Sequence, residues 1–123
     1  MAGETILVVD DSPTERALIT SALADSGYRV LVAGDSEEAL VKVATERPHL
    51  ILLDVVMPGK NGYQLCRELK NGTTTKSIKI ILLTSKSLEA DRFWGLRQGA
   101  DDYVTKPFEG GSLLAALRRQ LAH

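Results

Sequence analysis

Four short runs of aliphatic residues, Ile6 to Val9, Val30 to Ala33, Leu50 to Leu53 and Ile80 to Leu83, carry no polar residue within them. A weaker fifth run lies at Tyr103 to Thr105. Strands with one wet face alternate apolar and polar residues, whereas unbroken Val, Ile and Leu runs fit strands covered on both faces of a parallel sheet. Parallel neighbours need crossover connections, and each interval between the runs is long enough for a helix. At 123 residues the chain is expected to form one domain, spanning 1–123.

The intervals carry helix signals. Ser12-Pro13-Thr14-Glu15 joins an N-cap serine, a proline at the first helical position and a capping-box glutamate, and Gly27 is the expected stop. Asp35 to Glu38 repeats the box ahead of a helix ended by Pro48. A third helix is predicted over about Gly62 to Lys70, with Leu65, Cys66 and Leu69 inward. A fourth is predicted over Leu88 to Gln98, with Phe93 and Leu96 at helical spacing. A fifth, over Leu113 to Leu121, carries a stripe of Leu114, Leu117 and Leu121. Five strands alternating with five helices predict a doubly wound α/β domain with a five-stranded parallel sheet, order 2-1-3-4-5, of the flavodoxin-like (βα)5 type. In that order the switch point lies between the first and third strands, and ligands bind at the carboxyl ends there.

Composition narrows the partners. Fifteen Lys plus Arg against sixteen Asp plus Glu give a net charge of −1, which exerts no general pull on nucleic acid or an anionic membrane. The longest apolar run, Leu113 to Leu117, is too short to span a bilayer, and no signal peptide pattern follows Met1. One cysteine, Cys66, forms no internal disulfide and, with only His49 and His123, builds no Cys/His zinc site. A cytoplasmic location is expected.

Asp10 and Asp11 follow the first strand and Asp54 follows the third, so the topology brings three carboxylates to one crevice. A single Asp at a strand end often makes a turn or a cap, but Ser12 already fills the capping role. Three acids that close repel one another unless a cation neutralises them, and an all-oxygen carboxylate set suits Mg²⁺. Thr84 and Lys106 end the fourth and fifth strands and reach the same edge. A carboxylate nucleophile, a divalent metal, a hydroxyl and an ammonium describe a site for a phosphoryl group.

These segments resemble the receiver domain of two-component response regulators: VVDDS at Val8 to Ser12, LLDVVMPGKNG at Leu52 to Gly62, LLTS at Leu82 to Ser85 and YVTKPF at Tyr103 to Phe108. The resemblance covers essentially the whole chain, with 30 positions from Asp54 to Thr84 and 52 from Asp54 to Lys106. It implies that Asp54 accepts phosphate as an acyl phosphate. It implies further that Asp10, Asp11, Asp54 and the main-chain carbonyl of Val56 hold Mg²⁺, with Mn²⁺ able to substitute. Thr84 and Tyr103 match the switch pair, Lys106 the lysine on the phosphoryl group, and the Lys106-Pro107 bond is expected to be cis. Val56 and Lys86 occupy positions that vary in the family and tune dephosphorylation, and an apolar Val56 predicts a long-lived phosphoryl state.

The resemblance implies a sensor histidine kinase as donor and a downstream protein target or phosphatase as recipient. The protein would catalyse only its own phosphorylation and dephosphorylation. It is expected to be a monomer, with a phosphorylation-dependent dimer left open. Since the resemblance covers the whole chain, no DNA-binding output domain is expected. Signalling is expected through the face of the fourth helix, fifth strand and fifth helix. Arg92 and Trp94 on that helix are candidate interface residues, against a plainer reading in which Trp94 is partly buried. His49 is read as structural. DDSPTE at Asp10 to Glu15 and FWGLRQGADDYVTKPF at Phe93 to Phe108 look like stand-alone regulators of type IV pilus motility and phototaxis. Three rivals fit less well. A dehalogenase-like aspartyl phosphatase needs an acid where Val56 stands, and a silent receiver usually loses one of the site residues. A flavin carrier would not place two acids in its phosphate loop.

Overall fold

The computed structural model describes residues 3–122. Ten elements alternate along the chain: β1 (Thr5–Val9), α1 (Pro13–Ala22), β2 (Arg29–Ala33), α2 (Ser36–Glu46), β3 (Leu50–Leu53), α3 (Gly62–Asn71), β4 (Lys79–Thr84), α4 (Glu89–Arg97), β5 (Asp102–Thr105) and α5 (Gly110–Leu121). All strand pairings are parallel, and the sheet order is β2-β1-β3-β4-β5. No helix among the described residues is long and apolar enough to cross a membrane.

The pleat divides the aliphatic runs between two cores, because successive side chains point to opposite faces. Leu7, Val9, Ile51, Leu53, Ile80 and Leu82 face one way, against Ala39 and Val43 of α2 and Leu65, Cys66 and Leu69 of α3. Ile6, Val8, Leu50, Leu52, Ile81 and Leu83 face the other way, against Ile19 of α1 and Leu113, Ala116 and Leu117 of α5. The three central strands are almost fully buried. Strand β2 lies at the sheet edge, so Val30 and Leu31 are half-buried and Val32 is exposed in spite of its unbroken apolar run.

Local signals set most boundaries. Ser12 caps α1 by accepting the Glu15 amide (3.2 Å), Asp35 caps α2 through the Glu38 amide (2.8 Å), and Asn61 with Gln64 forms a complete capping box on α3. Two boundaries differ from those predicted by more than one residue. Helix α1 ends at Ala22, and the chain reaches Gly27 through a turn with Asp25 at φ +64° and Gly27 at φ +89°. Helix α5 begins at Gly110, three residues early, because the Glu109 carboxylate accepts the Gly111 and Ser112 amides and holds two glycines in the first turn.

Helix α4 differs most from its expected burial. Leu88, Phe93, Trp94 and Leu96 are all exposed, Trp94 by 51%, and the plainer reading of that tryptophan gives way. Gly95 faces the sheet instead, where an added Cβ would lie 2.7 Å from Leu82 Cδ1 and 2.9 Å from Tyr103 Cδ2. The helix packs backbone-close on its glycine, and its large apolar side chains turn outward.

Candidate functional site

The carboxyl ends of β1, β3, β4 and β5 converge on one cleft of about 730 Å³, lined among others by Asp10, Asp11, Asp54, Val56, Ser85, Lys106 and Phe108. Parallel pairing of Val9 with Leu53 sets Asp10 beside Asp54, and the Asp54 amide bonds the Val9 carbonyl at 2.9 Å. Carboxylate oxygens of Asp10, Asp11 and Asp54 all lie within 4.8 Å of one another. Asp10 and Asp54 are buried and Asp11 is exposed, so the cluster opens to solvent on one side.

The two buried acids, Asp10 and Asp54, are fixed by different contacts. Asp10 accepts the Ser12 amide on Oδ1 (2.9 Å), and Arg16 of α1 donates to the Asp10 carbonyl (2.6 Å). Asp54 Oδ1 accepts the amides of Val55 (2.7 Å) and Val56 (3.4 Å), leaving Oδ2 turned toward Lys106. Gly62 makes room for this turn: its amide bonds the Val55 carbonyl, and a Cβ there would sit 2.1 Å from the Asp54 carbonyl oxygen.

Lys106 comes from beyond the end of β5, where its amide bonds the Thr84 carbonyl (2.8 Å) and its peptide to Pro107 is cis. The ammonium lies 2.6 Å from Asp10 Oδ2, 3.3 Å from Glu15 Oε1 and 3.7 Å from Asp54 Oδ2, with the side chain only 11% exposed. Burial works against the charged ammonium, but the Asp10 hydrogen bond and the charges of Asp54, Asp10 and Glu15 outweigh it and raise its pKa. Burial pushes the Asp54 carboxyl above the usual carboxylate range. Lys106 opposes that shift, Asp10 reinforces it, and bonds from Thr84 and the Val56 amide oppose it. A divalent cation would relieve both burial and repulsion, and three convergent carboxylates form an oxygen-only donor set that fits a hard cation.

Thr84 is fully buried at the end of β4, and its Oγ accepts the Lys86 amide (3.3 Å). Tyr103 is buried in β5, and its hydroxyl donates to the Lys86 carbonyl (2.7 Å). Arg92 of α4 donates to the Tyr103 carbonyl (2.8 Å), and Tyr63 of α3 donates to the Asp91 carbonyl (3.1 Å). The loop between β4 and α4 is thus tied to the sheet by Tyr103, and α4 is tied to α3 by Tyr63. Trp94 lies outside the cleft, between α3 and α4 beside Tyr63 and Arg67. His49 accepts the Thr5 amide on Nδ1 (3.0 Å) at the opposite end of the sheet.

Sequence reasoning did not reach Glu15, Arg16, Gly62 and Tyr63 as site residues. Glu15 reads as a capping-box acid and Gly62 as the first residue of the third helix, and nothing in the spacing shows that they face Lys106 and Asp54.

A family model described as the response regulator receiver domain matches residues 6–118. Protein PilH of Pseudomonas aeruginosa is 43% identical over 117 residues, covering 95% of this chain and 97% of PilH. The phosphate regulon transcriptional regulatory protein PhoB of the same species is 44% identical over 98% of this chain, which spans only 53% of PhoB. The receiver domain of the P. aeruginosa sensor histidine kinase PA1611, solved with magnesium coordinated in its active-site cleft, superposes with a TM-score of 0.90 at 34% identity, covering 99% of this chain and all of that one.

Proposed function

The chain belongs to the response regulator receiver domain family, and from that premise we propose that it accepts a phosphoryl group on Asp54 from a sensor histidine kinase. The observation that carries this reading is the set of Asp10, Asp11 and Asp54 within 4.8 Å, with Lys106 reaching over Asp10 to Asp54.

Asp54 Oδ2 is the nucleophile, because Oδ1 is held by the Val55 and Val56 amides. It attacks phosphorus in line, the phosphorus–nitrogen bond of the donor phosphohistidine breaks, and the imidazole leaves with that electron pair. Asp10, Asp11, Asp54 and the carbonyl of Val56 would hold Mg²⁺, as the PA1611 receiver holds magnesium in its cleft. Bound there, the ion would lower the repulsion among the acids and draw charge from the phosphoryl oxygens. Mn²⁺ is expected to substitute. Lys106 neutralises a second oxygen, and Thr84 donates a hydroxyl hydrogen bond to another. The protein acts as its own catalyst and turns over no separate substrate.

Thr84 and Tyr103 carry the signal away. Drawing the Thr84 hydroxyl toward the phosphoryl group removes the acceptor that holds the Lys86 amide, and the loop that Tyr103 ties down is released. The affected surface is that of α4, β5 and α5, where Arg92 and Trp94 stand as contacts for a downstream protein. Phosphorylation biases two existing arrangements only by its differential contacts with them. The unit acts as one receiver domain in the cytoplasm, as a monomer, with a phosphorylation-dependent dimer left open. Its 43% identity to PilH supports a place in pilus-based or chemotactic motility.

Intact-mass measurement after incubation with acetyl phosphate tests the reading. One phosphate adduct that requires Mg²⁺ and is lost in Asp54→Asn is expected. An adduct retained in Asp54→Asn, or formed equally without Mg²⁺, overturns it.

A further inference from the structure

Glu15 is predicted to close a capping box on α1, but that box is open. The Ser12 amide, which a box glutamate would bind, donates instead to Asp10 Oδ1 at 2.9 Å. The Glu15 carboxylate turns into the cleft, where Oε1 lies 3.3 Å from Lys106 Nζ. The α1 cap needs only Ser12 Oγ on the Glu15 amide, so the side chain is free for another task.

A lysine ammonium has three N–H donors and no acceptor. Three carboxylates surround the one on Lys106: Asp10 at 2.6 Å, Glu15 at 3.3 Å and Asp54 at 3.7 Å. With the Lys106 side chain 11% exposed, little water can take the place of a lost partner. Two of these acids, Asp10 and Asp54, also belong to the convergent trio that suits a divalent cation, and Glu15 does not. A cation on Asp10 competes directly with the shortest Lys106 contact and repels the ammonium. Of the three acids, Glu15 alone remains uncommitted.

We propose that Glu15 is a positioning residue that takes over Lys106 when a divalent cation occupies Asp10, keeping the ammonium in the cleft within reach of Asp54. The inference rests on the cation site described under Proposed function. It assigns to the first turn of α1 a part in cation binding that no contact between Glu15 and the ion supplies. Without Glu15, a cation can bind only by stranding a nearly buried ammonium, and such a state is disfavoured.

Calorimetric titration of the intact protein with MgCl₂ tests the handover in a four-variant cycle: wild type, Glu15→Gln, Lys106→Met and the double variant. Glu15→Gln keeps the side-chain volume and removes the charge. It should weaken Mg²⁺ binding about threefold to tenfold, less than the 10–100-fold common for fully buried supporting residues, because Glu15 is partly exposed. In the Lys106→Met background there is no ammonium to hand over, and the same substitution should then change affinity by less than about twofold. An unchanged far-UV spectrum shows that α1 persists. Equal losses in both backgrounds would mean that Glu15 acts only through its own field, and no loss in the single variant would mean that it holds nothing; either result overturns the inference while the cation site stands. Failure of the wild type to bind Mg²⁺ overturns the cation site and the inference with it.

Discussion

Asp54 is held in a form that folding does not favour. Burial raises its pKa, and Asp10 adds to the rise, so the folded chain binds the Asp54 proton more tightly than the unfolded chain does. A carboxyl raised in this way contributes most to stability below its unfolded pKa, and that contribution is lost as pH rises through the folded value. Metal-free thermal melts should therefore show Asp54→Asn melting close to wild type below about pH 4 and above it at pH 7. A variant that is less stable at pH 7 would contradict the sign. Val56 leads to a second expectation. Its side chain is 58% exposed at the cleft and offers no polar atom to orient an attacking water. Autodephosphorylation, followed by loss of the adduct mass, should be severalfold slower in wild type than in Val56→Asn.

Two glycines set how closely elements approach the site. A methyl on Gly62 would meet the Asp54 carbonyl oxygen at 2.1 Å, and that atom belongs to backbone that cannot rotate aside. Gly62→Ala should cost at least the ~1–3 kcal/mol typical of overpacking in chemical denaturation and should abolish phosphorylation by displacing Asp54. Helix α4 presents the opposite case: its glycine is inside and its tryptophan outside. Trp94→Ala should leave stability within about 0.5 kcal/mol of wild type, so any loss of partner binding in a pull-down or titration reports a contact. Helix α4 also shows where sequence reading stops. A spacing of Phe93 and Leu96 suggests an inward stripe, but hydrophobicity does not reveal that Gly95 lets the backbone itself pack on Leu82 and Tyr103. The central strands were legible because burial on both faces demands unbroken aliphatic runs, and the helix starts because capping is local. The early start of α5 was not, because the leucine stripe begins only at Leu113 and nothing in it shows the Glu109 carboxylate gripping the turn of Gly110 and Gly111.

At the scale of the whole molecule, the site's acids, hydroxyl and ammonium were readable from strand ends alone, since a parallel doubly wound sheet sends every carboxyl end to one edge. Their mutual contacts were not readable, because Glu15 and Arg16 enter from helix α1 and not from a strand. If the acids hold a cation only in the folded chain, that cation stabilises the whole domain by linkage. At a hundred times its dissociation constant Mg²⁺ should contribute about 2.7 kcal/mol, seen as a melting temperature several degrees higher. Chelator should reverse the rise, and Asp11→Asn should remove most of it.

The bond between Lys106 and Asp10 joins residues 96 positions apart, near the two ends of the alternating pattern. Neither half of the sequence holds the whole cluster, and the ammonium meets the acids only where β1, β3, β4 and β5 lie side by side. If Asp54 accepts phosphate as proposed, that competence depends on four strands, β1, β3, β4 and β5, closing in register. A copy in which β5 fails to dock is then expected to take up no phosphate at all, and so to be silent rather than misleading.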